Sequence, residues 1–154
     1  MGYDIFSMRE DRDRAIAYDK KWGNTFWFDK DTGEYARQSN TVYYRQNIWG
    51  MAVLRDINTA LGLADLNDSL YDNSGTVIRD WECERYADAI DAKTDEEITK
   101  EVRVVLASHD LITPLSTGLL SGDQEEEVVA WVKEVRAWSD FLRTCADLKG
   151  AEVC

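Results

Sequence analysis

The sequence predicts an α+β fold, with a small antiparallel sheet packed on about four to five helices in a single domain spanning residues 1–154. Three observations carry that prediction. Residues 123–149 hold one apolar stripe at helical spacing, residues 2–8 alternate as a strand does, and residues 24–37 place two ring-rich or extended runs about a glycine-containing turn. A chain of 154 residues buries roughly 70% of the surface its unfolded form exposes, enough for one core without disulfides or metals. With 44% hydrophobic and 31% charged residues, it carries enough apolar surface to offset the entropy of ordering.

The elements follow in order. In residues 2–8, Tyr3, Ile5 and Ser7 face one side and Asp4, Phe6 and Met8 the other, which predicts a short strand. Residues 9–22 predict a helix closed by Gly23, a residue that readily takes the left-handed conformation at a helix end. Residues 24–37 predict a hairpin belonging to the same sheet as the N-terminal strand. Its turn, Asp29-Lys30-Asp31-Thr32-Gly33, resembles a calcium loop only superficially. An EF-hand starting at Asp29 would need glycine where Glu34 stands and a bidentate glutamate where Asn40 stands.

Ser39, Asn40 and Thr41 offer a helix cap, and Val42, Trp49, Val53, Ile57 and Ala60 recur at near-helical spacing, so a helix is expected over residues 41–61. A rival reading keeps Tyr43 to Arg45 extended and starts the helix at Asn47. Either way the run from Ile48 to Leu54 is apolar on every side, which predicts burial all round. Residues 63–76, rich in Asn, Asp, Ser and Gly, predict an irregular connection. A helix is expected over residues 79–91. Another should open at Thr94, whose Glu97 three residues on completes a capping box, and run to Ser108. Residues 109–122 predict a loop, broken by Pro114. The final helix buries Val128, Trp131, Val132, Val135, Trp138, Leu142, Cys145 and Ala146, and beyond Gly150 the last residues can return as a strand beside the first.

Charge is regional. The first sixty residues hold nine acids and nine bases, residues 61–130 hold seventeen acids and five bases, and residues 131–154 hold four of each, giving the net charge of −12. Such a chain repels polyanions, so direct nucleic-acid binding is not expected, and the acidity favours basic partners. No apolar run approaches the roughly 20 residues of a membrane span, and the first residues lack the basic-then-apolar order of a secretory signal, so a cytoplasmic location is expected. Cys83, Cys145 and Cys154 are widely spaced, with neither a disulfide framework nor a zinc pattern.

No catalytic motif is present. His109, the only histidine, stands between Ser108 and Asp110, and adjacent residues do not form a triad. Glycine-rich phosphate loops are missing, and the clusters Asp95-Glu96-Glu97 and Glu125-Glu126-Glu127 fall in first helical turns, where negative charge favours the helix dipole. Catalytic residues, metal ligands and cofactors are therefore not expected. Tyr44, Arg45, Asn47 and Trp49 form a candidate ligand site, because aromatic walls with a few polar groups and a glycine permitting close approach typify such sites; close helix packing at Gly50 is the competing explanation. Leu111, Ile112, Leu115, Leu119 and Leu120 form a candidate partner surface in an otherwise polar loop.

The stretch from Tyr43 to Met51, Tyr-Tyr-Arg-Gln-Asn-Ile-Trp-Gly-Met, resembles a signature of small proteins from actinobacteria and their phages. Asp72 to Ile78 and Trp138 to Asp147 resemble further segments of that family. Thr76 replaces the family's aromatic after glycine, and Lys149-Gly150-Ala151 replaces its Gly-Gly-Phe. The resemblance implies a shared α+β fold and no assigned activity. Three functions are expected in order: a non-enzymatic protein that binds a host or partner protein, an acidic nucleic-acid mimic blocking a DNA-binding enzyme, and a binder of a small anion at Arg45, Asn47 and Trp49.

Overall fold

A computed structural model describes residues 2–23, 28–35, 40–112 and 122–154. The chain is α+β, with a four-stranded antiparallel sheet in the order β4-β1-β6-β5 and a separate two-stranded sheet. β1 (Gly2–Ser7) lies in the middle of the main sheet, pairing on one side with β4 (Tyr43–Asn47) and on the other with β6 (Ala151–Val153). β5 (Thr76–Ile78) pairs with β6 alone. The register places Ile5 opposite Tyr44 and Val153, all three buried, so the side of β1 that carries Ile5 continues across the sheet as a buried face.

The return of the last residues beside β1 is as expected. The hairpin is placed differently. Among the described residues, β2 (Phe28–Asp29) and β3 (Glu34–Tyr35) pair only with each other and not with β1, which has β4 and β6 on its two sides. Its turn is held by Asp29, whose carboxylate accepts from the Asp31 amide at 2.8 Å and whose carbonyl accepts from Gly33 at 2.9 Å, with Gly33 at φ 70°. Residues 24–27, 36 and 37 of the expected hairpin lie outside the described residues.

α1 (Arg12–Trp22) starts where the Asp11 carboxylate accepts from the Arg14 amide and ends at Gly23, φ 73°. The helix expected over residues 41–61 is α2 (Ile48–Ala60), and the rival reading is the one the structure follows. Tyr43 to Asn47 alternate across a pleat and complete a ladder with β1, and Asn47 then caps the helix by accepting from the Gly50 amide at 2.6 Å. Asn40 instead serves α1, its carbonyl accepting from the Asp11 amide at 3.0 Å. Within α2, Met51, Val53, Leu54 and Ile57 are buried, whereas Ile48 and Trp49 are exposed; burial all round is thus corrected for the first turn, which projects past the end of the sheet.

The connection at 63–76 is more ordered than its composition implies. A 3₁₀ helix over Ala64–Ser69 is tied to α2 by Asn67, whose amide donates to the Arg55 carbonyl at 2.9 Å, and Thr76 already belongs to β5. α3 (Asp80–Asp91) and α4 (Asp95–Ser108) match their expected spans. At Thr94 both halves of the capping box form: its hydroxyl accepts from the Glu97 amide at 3.1 Å, and the Glu97 carboxylate accepts from the Thr94 amide at 3.3 Å.

α5 (Gly122–Ala146) is the predicted long helix, packed along α3 and α4. Trp138, Phe141, Leu142 and Cys145 are completely buried, and the Trp138 and Phe141 rings stack 5.8 Å apart with Tyr44 4.9 Å from Trp138. Arg136 pairs with Asp95, and Arg143 with Asp88 and Asp91, so bases near the C-terminus neutralise part of the acidic middle. Gly150 makes the final corner at φ 100°, with its Cα so close to β5 that a Cβ would stand 2.3 Å from the Ile78 carbonyl oxygen.

Candidate functional site

A cleft of about 370 Å³ opens beside β4, an outer strand of the main sheet, where that strand meets α1 and α5. α1 contributes Tyr18 and Trp22, β4 contributes Tyr43, Tyr44 and Arg45, and α5 contributes Ala130, Lys133, Glu134 and Ala137. The volume lies within the range of small-molecule sites, and the lining of rings and methyl groups with a few charges has the composition of one.

Hydrogen bonds fix most of the lining. The Tyr18 hydroxyl donates to the Ala137 carbonyl at 2.7 Å, the Trp22 indole N–H to Asp140 Oδ2 at 2.8 Å, and the Tyr43 hydroxyl to Asp4 Oδ1 at 2.5 Å. Glu134 is the centre of the polar part. Its Oε1 accepts from the Tyr44 hydroxyl at 2.8 Å and from the Gln46 amide at 2.9 Å. Burial, and then the neighbouring Glu134 charge, hold the Tyr44 hydroxyl well above the usual tyrosine range, so it stays a donor to that carboxylate. Burial likewise raises Tyr18.

The four residues proposed from the sequence divide. Tyr44 and Arg45 line the cleft, with the Arg45 Nε 3.8 Å from Asp4 Oδ1. Asn47 caps α2, and Trp49, 82% exposed, lies outside the lining. Gly50 serves neither of the roles considered for it. A Cβ there would meet Gln46 Oε1 at 1.9 Å, so the glycine makes room for the side chain that orients Glu134. Tyr18, Trp22, Lys133 and Glu134 were not singled out in the sequence. Only their positions on helical faces were legible, and the meeting of α1 with the middle of α5 is a long-range packing event with no local signal.

Of the five residues in the candidate partner surface, Leu111 is exposed, while Leu115, Leu119 and Leu120 lie outside the described residues. Ile112 is corrected: it is buried in the core at 4% exposure. Asp110 at φ 57° and a Leu111 amide bond to the Leu106 carbonyl turn the chain back over the end of α4.

A second surface gathers at the opposite end of β4. Gly2 pairs with Asn47, the Asn73 amide donates to the Gly2 carbonyl at 3.1 Å, and the Tyr3 hydroxyl donates to the Tyr71 carbonyl at 3.3 Å. Residues 71–73 are thereby drawn to the strand end from which α2 departs with Ile48 and Trp49. The Arg55 guanidinium lies 4.7 Å from the centre of the Tyr71 ring and donates to the Leu70 carbonyl at 2.8 Å. Tyr71 is 65% exposed.

His109 Nε2 lies 2.6 Å from Asp56 Oδ2. Among the described residues, no group of three or more His, Cys, Asp or Glu side chains is placed to hold a metal, and no helix is long and apolar enough to cross a membrane. Compared with protein-family models, curated proteins and solved structures, the chain finds no match.

Proposed function

We propose that the protein is a non-enzymatic binding protein whose partner is a protein with a basic contact surface. The observation that carries this reading is Trp49, 82% exposed on the first turn of a well-anchored helix, with Tyr71 and Arg55 gathered at the same end of the sheet. Trp, Tyr and Arg are the residue types in which interface binding energy concentrates. Tyr71 is held in place before any partner arrives, by Tyr3 and Arg55, and the helix that carries Trp49 is fixed by the Asn47 cap. Preorganised side chains lose less entropy on binding.

The partner's charge follows from the surroundings. Asp68 and Asp72 are exposed beside Tyr71, and the chain as a whole carries −12. Exposed aromatic faces next to carboxylates favour lysine and arginine side chains, which gain both cation–π and ionic attraction. The actinobacterial and phage resemblance supports a host protein in a phage setting. Mimicry of nucleic acid is the weaker reading, because Asp65, Asp88, Asp91, Asp95 and Glu125, in the acidic stretch over residues 61–130, are paired with arginines.

Affinity capture from actinobacterial lysate with the wild type and with Trp49→Ala tests the proposal. A stoichiometric basic protein retained by the wild type, released by salt and lost by Trp49→Ala is the expected result. Equal retention by both chains removes this surface from the interaction.

A further inference from the structure

The cleft beside β4 has a chemistry of its own, separate from the Trp49 surface. On the α5 side of β4, the hydroxyls of Tyr18 and Tyr44 and the indole N–H of Trp22 are all engaged by protein acceptors, which leaves chiefly their carbon surface for a ligand. Polar recognition falls to the charged residues. Glu134 is clamped through one oxygen by Tyr44 and Gln46, and among the described residues its Oε2 accepts no hydrogen bond. Lys133, the next residue on α5, is exposed and makes no ion pair or hydrogen bond among the described residues. Arg45, also in the lining, is paired with Asp4.

We infer that this cleft binds a small zwitterion, an α-amino acid with an aromatic side chain. Its ammonium group meets Glu134 Oε2, its carboxylate meets Lys133, and its side chain lies against Tyr18, Trp22 and Tyr44. An amine without a carboxylate would leave Lys133 without a counter-charge. An acid without an amine would leave Glu134 Oε2 without a donor while bringing a like charge towards it. Only a ligand carrying both charges and an apolar body satisfies every part of the lining, and a cleft of about 370 Å³ is of small-molecule size.

Calorimetric titration of the full chain with L-phenylalanine, phenethylamine and 3-phenylpropionate tests this. Phenylalanine is expected to bind, and each analogue to bind about tenfold more weakly or worse, the usual consequence of losing one hydrogen bond to a charged group. Glu134→Gln, which keeps an acceptor for Tyr44, should bring phenylalanine down towards phenylpropionate. Lys133→Ala, at an exposed position, should bring it down towards phenethylamine. Trp49→Ala should leave all three titrations unchanged, which separates this site from the partner surface. The inference is overturned if folded wild-type protein binds none of the three at millimolar concentration, if it binds all three equally, or if the two cleft variants leave their order unaltered. Melting curves of each variant verify that it is folded.

Discussion

Trp138 and Trp49 present one side chain in two opposite settings. Trp138 lies midway along α5, 0% exposed, with Tyr44 and Phe141 against it. Trp49 stands on the first turn of α2 and is 82% exposed. Both follow apolar neighbours in sequence, so hydrophobicity does not separate them. What separates them is their surroundings: Trp138 lies where α5 packs along α3 and α4 and against Tyr44 of β4, whereas Trp49 stands on the exposed first turn of α2. An exposed tryptophan of this kind is a surface feature to be explained by binding, while a buried one is explained by the core.

The largest test of the contrast is on stability. Trp138→Ala is expected to lower the unfolding free energy by about 3–5 kcal/mol in urea titration, the usual result of emptying a large core site. Trp138→Phe should cost less than half of that. The indole N–H is buried without an acceptor among the described residues, and phenylalanine removes that unsatisfied donor while keeping a ring.

Alkaline pH probes the same core. Burial pushes the Cys83 thiol up to about 12, against roughly 8.5 in an unfolded chain, and holds Tyr44 well above its unfolded value near 10. Groups with raised values stabilise the fold fully below the unfolded value and lose that contribution as pH rises towards the folded one. Urea midpoints should therefore be level near pH 7 to 8 and fall from about pH 9 upward. A profile flat to pH 11 would contradict the burial of these groups.

Smaller effects belong to the corner between the two settings. Asn47→Ala removes the cap of α2 and should cost about 1 kcal/mol in the same titration. Trp49→Ala should change stability by no more than about 0.5 kcal/mol while weakening partner capture, the inverse of Trp138→Ala. At the acidic end, the Arg85 hydrogen bond holds the Asp65 carboxyl below its usual range. Its contribution is present above about pH 3.9 and lost as pH falls through the lowered value. Because Asp65 is half-exposed, that loss should be slight and should vanish in high salt; a steep acid transition traced to Asp65→Asn would contradict this.

Local chemistry explains which parts were legible in the sequence. Thr94 with Glu97, Gly23 after Trp22, and the stripe from Val128 to Cys145 encode their elements within a few residues, and the structure reproduces all three. Tyr43 to Asn47 could not be resolved in that way. Their propensities suit a strand or a helix, and the pairing with β1, some forty residues away, decides between them. The candidate site was half legible for the same reason. Tyr44 and Arg45 were found through their aromatic and cationic company, but Lys133 and Glu134 sit in an ordinary amphipathic helix about ninety residues further on, and only tertiary packing brings them to β4.

The position of β6 between β1 and β5 also sets an order in time. β1 and β5 share no ladder; Ala151 to Val153 join them, with the Asp4 and Cys154 backbones exchanging hydrogen bonds of 3.0 and 2.8 Å just beyond. During synthesis, at roughly 5 to 20 residues per second, the first strand can find β4 early, but the sheet stays in two pieces until residue 153 clears the ribosome. Folding then closes by bringing together parts of the chain nearly 150 residues apart, a slow kind of contact to make. A nascent chain halted at Gly150 should therefore leave β1 and β5 with unjoined edges, because β6 is the strand that pairs with both.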